Sequence, residues 1–432
     1  MNKNTISEES IAGRKERGSA RQHQGAAMKK GWQTKKLGDV CSLLNRVISP
    51  AYLEEGGVCV LNQKCIRDHE VSYEPSRRHD LKAKKVAAER FIQLGDVLVN
   101  STGTGTLGRV AQVRDEPEEA TTVDSHVTIA RPKPGLFHLD FFGYMLVVIK
   151  DAIKDAGEGC GGQTELARSV LAERFSVSYP ESLPEQRRIF GLLDEAFAGL
   201  AIAKANAEKN LQNARALFES HLQSVFTQRG PGWEEKPLVE LCERITKGSS
   251  PKWQGISYVA APGILFVTSE NVGEYDILVG QPKYVEEKFN AKDKKSILKN
   301  GDVLTNIVGA SIGRTAVFDR DDVANINQAV CLIRCNPHLL NNYYLTYLLN
   351  SPVFKQVLHD NEVNNARANL SLGFFSQLPV PIPPIPKQKE IVAKLDAFRE
   401  ETQNLASIVE QKLAALAALK KSLLHQAFTG QL

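Results

Sequence analysis

The sequence is written twice. Gly31-Trp32 returns as Gly232-Trp233, and Gly95-Asp96-Val97-Leu98 as Gly301-Asp302-Val303-Leu304. Thr106-Leu107-Gly108-Arg109 returns as Ser311-Ile312-Gly313-Arg314. Late in each copy Pro184-Glu185-Gln186 matches Pro386-Lys387-Gln388, and residues 216–227 match 418–429 through Ser220, Phe226 and Thr227 against Ser422, Phe428 and Thr429. The blocks keep one order and an offset between 201 and 206 residues. Self-similarity of this kind marks a duplicated structural unit. The chain therefore reads as two copies, 31–230 and 231–432, behind a leader at 1–30. The leader is polar and basic without apolar periodicity, and is expected to be disordered. Met28 at its end reads as an alternative translation start or as part of a basic tail.

Each copy has two parts. Short apolar runs punctuated by Gly, Pro and Asn come first: 97–99, 127–130, 303–304 and 330–333 predict strands, and 140–149 and 341–350 predict matching helices. A long helix follows. Its apolar positions include Ile189, Leu192, Leu193, Leu200, Leu211, Ala214, Leu217 and Leu222 in the first copy. In the second they include Ile391, Leu395, Phe398, Leu405, Ile408, Leu413 and Leu423. Steps of three and four average near the 3.5 of a coiled-coil seam. Pro184 and Pro386 suit a first helical turn, and the proline-rich stretch 379–386 predicts an extended strut that aims the second helix. The expected fold class is α+β. Two similar globular α/β domains, 31–180 and 230–382, are separated by a long antiparallel two-helix coiled-coil spacer made of 181–229 and 383–432. A helix of some 40 residues makes a rod of roughly 60 Å, so the expected shape is a dumbbell with an approximate two-fold axis.

Composition excludes some classes. Hydrophobic residues are 42% and charged residues 24% of the 432, enough apolar material for real cores. No apolar run reaches the roughly 18–20 residues of a membrane helix, so no membrane association is expected. Seven cysteines and no secretory signal point to a reduced, cytoplasmic setting. A net charge of +4 permits nucleic-acid binding without arguing for it.

Enzymatic motifs are weak. Gly103-Thr104-Gly105-Thr106-Leu107-Gly108 fits a dinucleotide pattern, but the residues after it alternate like a strand, and the second copy breaks the pattern at 308–313. A hairpin turn is the stronger reading. Asp276, Glu286 and Lys288 have a loose nuclease-like spacing with no counterpart in the first copy. Cys331 and Cys335 lack zinc-ligand spacing and read as structural thiols. No catalytic, cofactor or metal residue is assigned.

Two similar modules at a fixed separation suit a near-symmetric object, and duplex DNA is one. Similar but non-identical modules would read two different half-sites. The candidate DNA-binding residues are the amides, hydroxyls, glycine and arginines of the repeated loops: Asn100, Ser101, Thr102, Gly103 and Arg109, then Asn306, Ser311 and Arg314. Asn62, Gln63 and Lys64, matched by Thr268, Ser269 and Asn271, carry groups that read base edges. Asn365, Arg367 and Asn369 match the region of Gln163. The basic run Arg77, Arg78, His79, Lys82, Lys84 and Lys85 reads either as phosphate steering or as a solvated face.

These features together resemble the specificity subunit of type I restriction-modification systems: Gly-Asp-Val-Leu at 95–98 and 301–304, Gly-Arg at 108–109 and 313–314, the proline-rich entry at 379–386, the Pro-x-Gln-x-x-Ile helix starts and the ending Ala-Phe-Thr-Gly-x-Leu at 427–432. The resemblance implies a non-catalytic subunit of a site-specific adenine methyltransferase and ATP-dependent endonuclease complex. Each globular part would be a target recognition domain for one half of an asymmetric bipartite sequence in double-stranded DNA. The helices would dock two methyltransferase subunits and up to two restriction/translocase subunits. S-adenosylmethionine, ATP and magnesium would belong to those partners. A protein scaffold that does not touch DNA, or a stand-alone nucleotide-binding enzyme using the 103–108 loop, are the alternatives.

Overall fold

A computed structural model of the chain describes residues 29–47, 49–160, 163–260, 263–364 and 368–432. The leader up to residue 28 lies outside the described residues.

The first repeat opens with β1 (Trp32–Lys36), β2 (Cys41–Arg46), β3 (Tyr52–Leu53) and β4 (Val58–Leu61). A small hairpin, β5 (Ile66–Arg67) and β6 (Glu70–Val71), precedes β7 (Arg77–His79), β8 (Val97–Asn100) and β9 (Val110–Gln112). Then come β10 (Thr121–Val123), β11 (Val127–Pro132), helix α1 (Leu139–Asp155), β12 (Glu158–Cys160), β13 (Gln163–Glu165) and β14 (Ser176–Pro180). The long helix α2 (Leu183–Thr227) follows.

The second repeat runs through the same order: β15 (Glu234–Pro237), β16 (Cys242–Lys247), β17 (Tyr258–Val259), β18 (Ile264–Val267), β19 (Tyr284–Val285) and a short helix α3 (Lys288–Lys292). Strands β20 (Asp302–Asn306), β21 (Thr315–Phe318), β22 (Ala324–Ile326) and β23 (Val330–Cys335) lead to helices α4 (Asn342–Asn350) and α5 (Pro352–Asp360). The hairpin β24 (Val363–Asn364) and β25 (Ala368–Asn369), strand β26 (Pro379–Ile382) and the second long helix α6 (Ile385–Phe428) complete it.

The two four-stranded sheets are duplicated strand for strand, while the β5–β6 hairpin has no paired-strand counterpart among the described residues of the second repeat. The order β2-β11-β8-β9 reappears as β16-β23-β20-β21, and β10-β4-β7-β3 as β22-β18-β19-β17. In each of the second pair the same neighbours, β10 with β4 and β22 with β18, run parallel. The repeat read from sequence is thus a repeat of topology. The proline-rich strut is extended as expected, but residues 379–382 pair as a strand with β15 in a two-stranded sheet. A two-stranded sheet is all edge, where missing N–H groups are tolerated.

The recurring sequence motifs turn out to be framework. In Gly-Asp-Val, Gly95 and Gly301 sit at φ of +88° and +92°, a conformation glycine adopts without strain. Asp96 is buried, accepts from the Gln93 amide at 2.8 Å, and takes two bonds of 2.7 Å from Arg131. Asp302 repeats this with the Lys299 amide and Arg334, all at 2.7 Å. Removing one partner of such a pair costs roughly 3–5 kcal/mol. In Pro-x-Gln, buried Gln186 accepts from the His138 amide at 2.8 Å and donates to the Leu136 and Pro180 carbonyls. Gln388 does the same with Asn341, Leu339 and Pro383. Each long helix is latched at its start to its own domain.

The chain divides into two compact units that cut across the linear partition. One comprises residues 1–205 with 414–432, the other 206–413. Each long helix therefore contributes to both. In the first unit Phe428 sits 5.0 Å from the Phe141 ring, and Leu424 and Ala427 join the same core. In the second unit Phe226 sits 5.5 Å from the Tyr344 ring, with Leu222 beside it. The matched Ala216-type and Ala418-type segments are thus plugs: each closes a core with an aromatic ring brought from the far end of the other repeat's helix. Within the second unit the helices run antiparallel, Arg215 meeting Glu410 and His221 meeting Phe398. In the first, Arg188 meets Leu432 and Phe197 meets Lys420. Ala207, Ala214, Leu222, Leu395 and Val409 are buried. Leu192, Leu217, Leu405 and Ile408 do not belong to that seam. They are exposed, because an apolar series that drifts over a straight helix covers more than one face.

Phe428→Ala should remove roughly 3–5 kcal/mol from the first unit and leave the second unaffected; Phe226→Ala should do the reverse. Hydrogen exchange would show faster exchange in α1 for one variant and in α4 for the other, and equal effects on both helices would contradict the plug assignment.

Candidate nucleic-acid interface

Four segments of the first unit converge at one end of its two larger sheets. Asn100 closes β8, and its Nδ2 donates to the Gln63 carbonyl at 3.1 Å. The Gln63 side-chain oxygen accepts from Thr106 Oγ1 at 2.6 Å. Gly103 N donates to the Thr164 carbonyl at 2.9 Å, and Leu166 N to the Ser101 carbonyl at 2.8 Å. Ser101 N donates to the His126 carbonyl at 2.9 Å, while Thr102 Oγ1 and His126 Nδ1 lie 2.6 Å apart. Arg46 ties the same corner through Glu165 and the Leu166 carbonyl. The segments 62–64, 100–109, 124–126 and 163–166 thus form one crown.

The loop 103–108 joins two antiparallel strands, β8 and β9, not a strand to a helix. Its glycines are there for the turn and for close approach: Gly103 and Gly108 have φ of +103° and +80°, and a Cβ on Gly108 would lie 2.8 Å from the Lys150 carbonyl.

The second unit builds the same crown from different side chains. Asn306 Nδ2 donates to the Ser269 carbonyl at 2.9 Å. Leu370 N donates to the Ile307 carbonyl, and Ile307 N to the Ala329 carbonyl, both at 2.9 Å. Thr268 gives its amide and hydroxyl to Asn271 Oδ1, and Asn271 Nδ2 donates to the Leu278 carbonyl. A cleft of about 730 Å³ runs between Ser269, Gly309, Ile312, Gln328 and His359.

This geometry sorts the predicted residues. Asn100, Ser101, Thr102, Thr268, Asn271 and Asn306 are buried and bonded inside the crown, so their side chains shape it instead of facing solvent. Asn62 is half-buried and likewise internal, taking the Lys64 amide and donating to Pro75. Gln63, Gly103, Arg109, Ser269, Ser311 and Asn369 are half-buried, and Lys64 and Arg314 are exposed. Gln163 pairs with Cys160 in the β12–β13 hairpin. Asn365 and Arg367 lie outside the described residues. Asn100 and Asn306 leave the same atom, Oδ1, buried and unpaired. Unpaired buried groups are uncommon, and this one is duplicated.

Sequence reasoning missed the turn after β10 and β22. Asp124 Oδ1 accepts from the His126 amide at 2.9 Å, and Asn327 Oδ1 from the Ala329 amide at 3.0 Å. These turns hold out half-buried Ser125 and His126 and exposed Gln328. The signal was available: Asp124-Ser125-His126-Val127 aligns with Asn327-Gln328-Ala329-Val330 in the repeat. The structure also places two other stretches singled out in the sequence. In the basic run His79 is buried and bonded to Ala51 and Lys84, Arg78 pairs with Glu119, and Arg77 stacks 3.7 Å over the Tyr52 ring. Asp276, Glu286 and Lys288 do not act as a set: Asp276 pairs with Arg399, and Glu286 with Lys288 and the Ser257 amide.

A cleft of about 490 Å³ beside the first crown is lined by Arg67, Arg109, Lys150 and Lys154, with Asp68 and Asp151. His69 lines it from the tip of the β5–β6 hairpin, where Asp68 and His69 both take positive φ. Its Nδ1 lies 3.2 Å from the Val110 carbonyl and its Nε2 3.3 Å from Lys150 Nζ. Burial, and then the Lys150 ammonium, lower its pKa from 6.5 to about 4. The matching turn of the second unit carries Tyr275, also at positive φ, ringed by Phe218, Tyr347 and Arg399.

Comparison with known proteins supports the resemblance drawn from the sequence. The family model of the type I restriction modification DNA specificity domain matches residues 231–413. The type I restriction enzyme EcoBI specificity subunit of Escherichia coli is 30% identical over 169 residues, 39% of this chain. That alignment spans about a third, 35%, of the relative's length. A solved chain from a study of type I restriction-modification assembly and conformational transition shares the fold with a TM-score of 0.77 at 18% identity, covering 94% of this chain and 100% of that one. The specificity subunit from Thermoanaerobacter tengcongensis superposes with a TM-score of 0.57 at 19% identity, over 94% and 99% of the two chains. Among the described residues no helix is long and apolar enough to cross a membrane.

The folded chain keeps His69 neutral well below pH 6.5, whereas the unfolded chain takes up the proton there. Stability should therefore fall as pH drops from about 6.5 towards 4. His69→Asn, which tolerates the left-handed turn, should flatten that part of the curve. Thermal melts of both proteins at several pH values across this window would show it; parallel curves would contradict the assignment.

Proposed function

We propose that this chain, whose residues 231–413 carry a type I restriction modification DNA specificity domain, is the DNA sequence-specificity subunit of a type I restriction-modification complex. The carrying observation is the duplicated crown: one topology, built twice, presenting different polar groups. The first crown offers Lys64, Gln63, Ser125, His126 and Arg109. The second offers Ser269, Gln328 and Arg314 where the first has Gln63, Ser125 and Arg109, and adds Ser311 and Asn369. Equal frames with unequal reading groups suit an asymmetric bipartite target in double-stranded DNA, one half-site per repeat. Lys64, Arg109 and Arg314 meet phosphates, and the amides and hydroxyls meet base edges.

The long helices serve assembly. Leu183, Leu192, Ile202 and Leu419 in the first unit, and Leu217, Leu405 and Ile408 in the second, leave apolar surface on them. We read this uncovered apolar surface as the partner-facing part of the helices. Two methyltransferase subunits dock there, and up to two restriction/translocase subunits join for cleavage. S-adenosylmethionine, ATP and magnesium act in those partners, and this chain contributes no catalytic group. The complex works in the cytoplasm.

A modified-base map of cells with and without the gene tests the function: one bipartite adenine-methylation motif should vanish with it, and an unchanged map despite a bound methyltransferase partner would refute the role. Arg109→Ala or Arg314→Ala in the assembled complex should weaken target binding and lower the salt slope by about one per lost phosphate contact, without unfolding. Ile408→Asp should reduce co-purification with the methyltransferase while domain stability holds. Normal assembly would remove the helix face from the interface.

A further inference from the structure

The second repeat carries a loop that the first does not. Between β16 and β17 the chain uses residues 248–257, where the first repeat needs only 47–51. The loop leaves directly from the second crown: a Cβ on Gly248 would lie 1.8 Å from the Ile326 carbonyl oxygen and 2.8 Å from that of Asn327. At its turn, Lys252–Gln254, stands Trp253 with 84% of its surface exposed. Tryptophan is usually well buried, since its ring is the largest apolar side chain.

The ring is exposed although the loop is fixed on both sides. Ser249 Oγ donates to Asp293 Oδ2 at 2.5 Å, and Gln254 donates to Ser249. Lys292 Nζ donates to the Gln254 carbonyl at 2.6 Å, and Ser257 N to Glu286 at 2.9 Å. Ile256 is buried in a small core with Phe266 and Phe289. Two neighbours are thus anchored and the indole between them is held out.

Its surroundings are cationic. Lys252 is adjacent, and α3 brings Lys292 to the Gln254 carbonyl and Lys288 to Glu286, which holds the Ser257 amide. The acids on the same stretch are Glu286, Glu287 and Asp293; Glu286 is shared with Lys288 at 3.0 Å and Asp293 with Ser249. In the first repeat the corresponding stretch, 47–51, is shorter and carries no aromatic residue. Protein interfaces deplete lysine around their aromatic centres. Duplex DNA favours this mixture, since lysines neutralise phosphates and an apolar ring packs on sugars, thymine methyls or an opened base step.

We infer that Trp253, with Lys252 next to it and Lys288 and Lys292 on the helix that holds its loop, is a duplex-DNA anchor of the second repeat, beyond its crown and without an equivalent in the first. This rests on the specificity reading proposed above. The test uses the assembled methyltransferase complex and a labelled duplex bearing the motif found by base mapping, measured by fluorescence anisotropy across a salt series. Trp253→Ala should weaken binding roughly tenfold, and Trp253→Phe should retain most of the affinity. Lys288→Ala with Lys292→Ala should flatten the salt slope by about two. Unchanged affinity for Trp253→Ala overturns the inference while the motif map leaves the function standing. Loss of co-purification with the methyltransferase in that variant also overturns it and assigns the ring to a protein contact. A wild-type complex with no preference for the motif removes the specificity reading and this inference together.

Discussion

The largest core of each unit is closed by a ring that belongs to the other repeat. Phe428 finishes the core around Phe141, and Phe226 the core around Tyr344. The other end of each helix is held by a buried glutamine, Gln186 or Gln388, bonded to three backbone groups of its own domain. Each unit thus holds the start of one long helix by a latch and the end of the other by a plug. Each crown sits on a sheet whose inner face belongs to the core closed by its own unit's latch and plug. Sites on such supports hold their geometry better than sites on free loops.

The two crowns show how one frame is given two meanings. Backbone bonds between the β8–β9 loop and the following hairpin, and between that loop and the turn after β10, recur in the second unit with the same partners in register. The side chains above them differ. Lys64 in the first crown has Glu270 as its counterpart, which pairs with Lys283 at 2.7 Å. His126 is replaced by Ala329. Apart from the shared Arg109 and Arg314, the common part of the repeat is what the backbone needs, and the divergent part is what solvent meets.

Much of this was legible in the sequence. The repeat, the strand runs, the paired helices and the hairpin nature of the glycine loop all follow from periodicity and offset, because covalent order and hydrophobic spacing are local properties. What was not legible is direction. Asn100 and Asn306 read as exposed polar groups, yet both point inward, since a polar residue at a strand end serves a buried carbonyl as readily as a ligand. Leu405 and Ile408 read as seam residues but face away, because a series of threes and fours does not fix which face is covered over a 44-residue helix. Trp253 drew no notice because exposure is a property of the folded chain alone.

The plugs also impose an order of events. The contact between Phe226 and Tyr344 closes within the middle of the chain, whereas Phe428 must return to Phe141 across most of the chain's length. Loop-closure entropy grows with separation, and contacts between distant residues form late. Two halves of matching topology therefore reach their final state on different clocks. The second is complete within one continuous stretch, 206–413, while the first needs residues 414–432 from the end of the last helix.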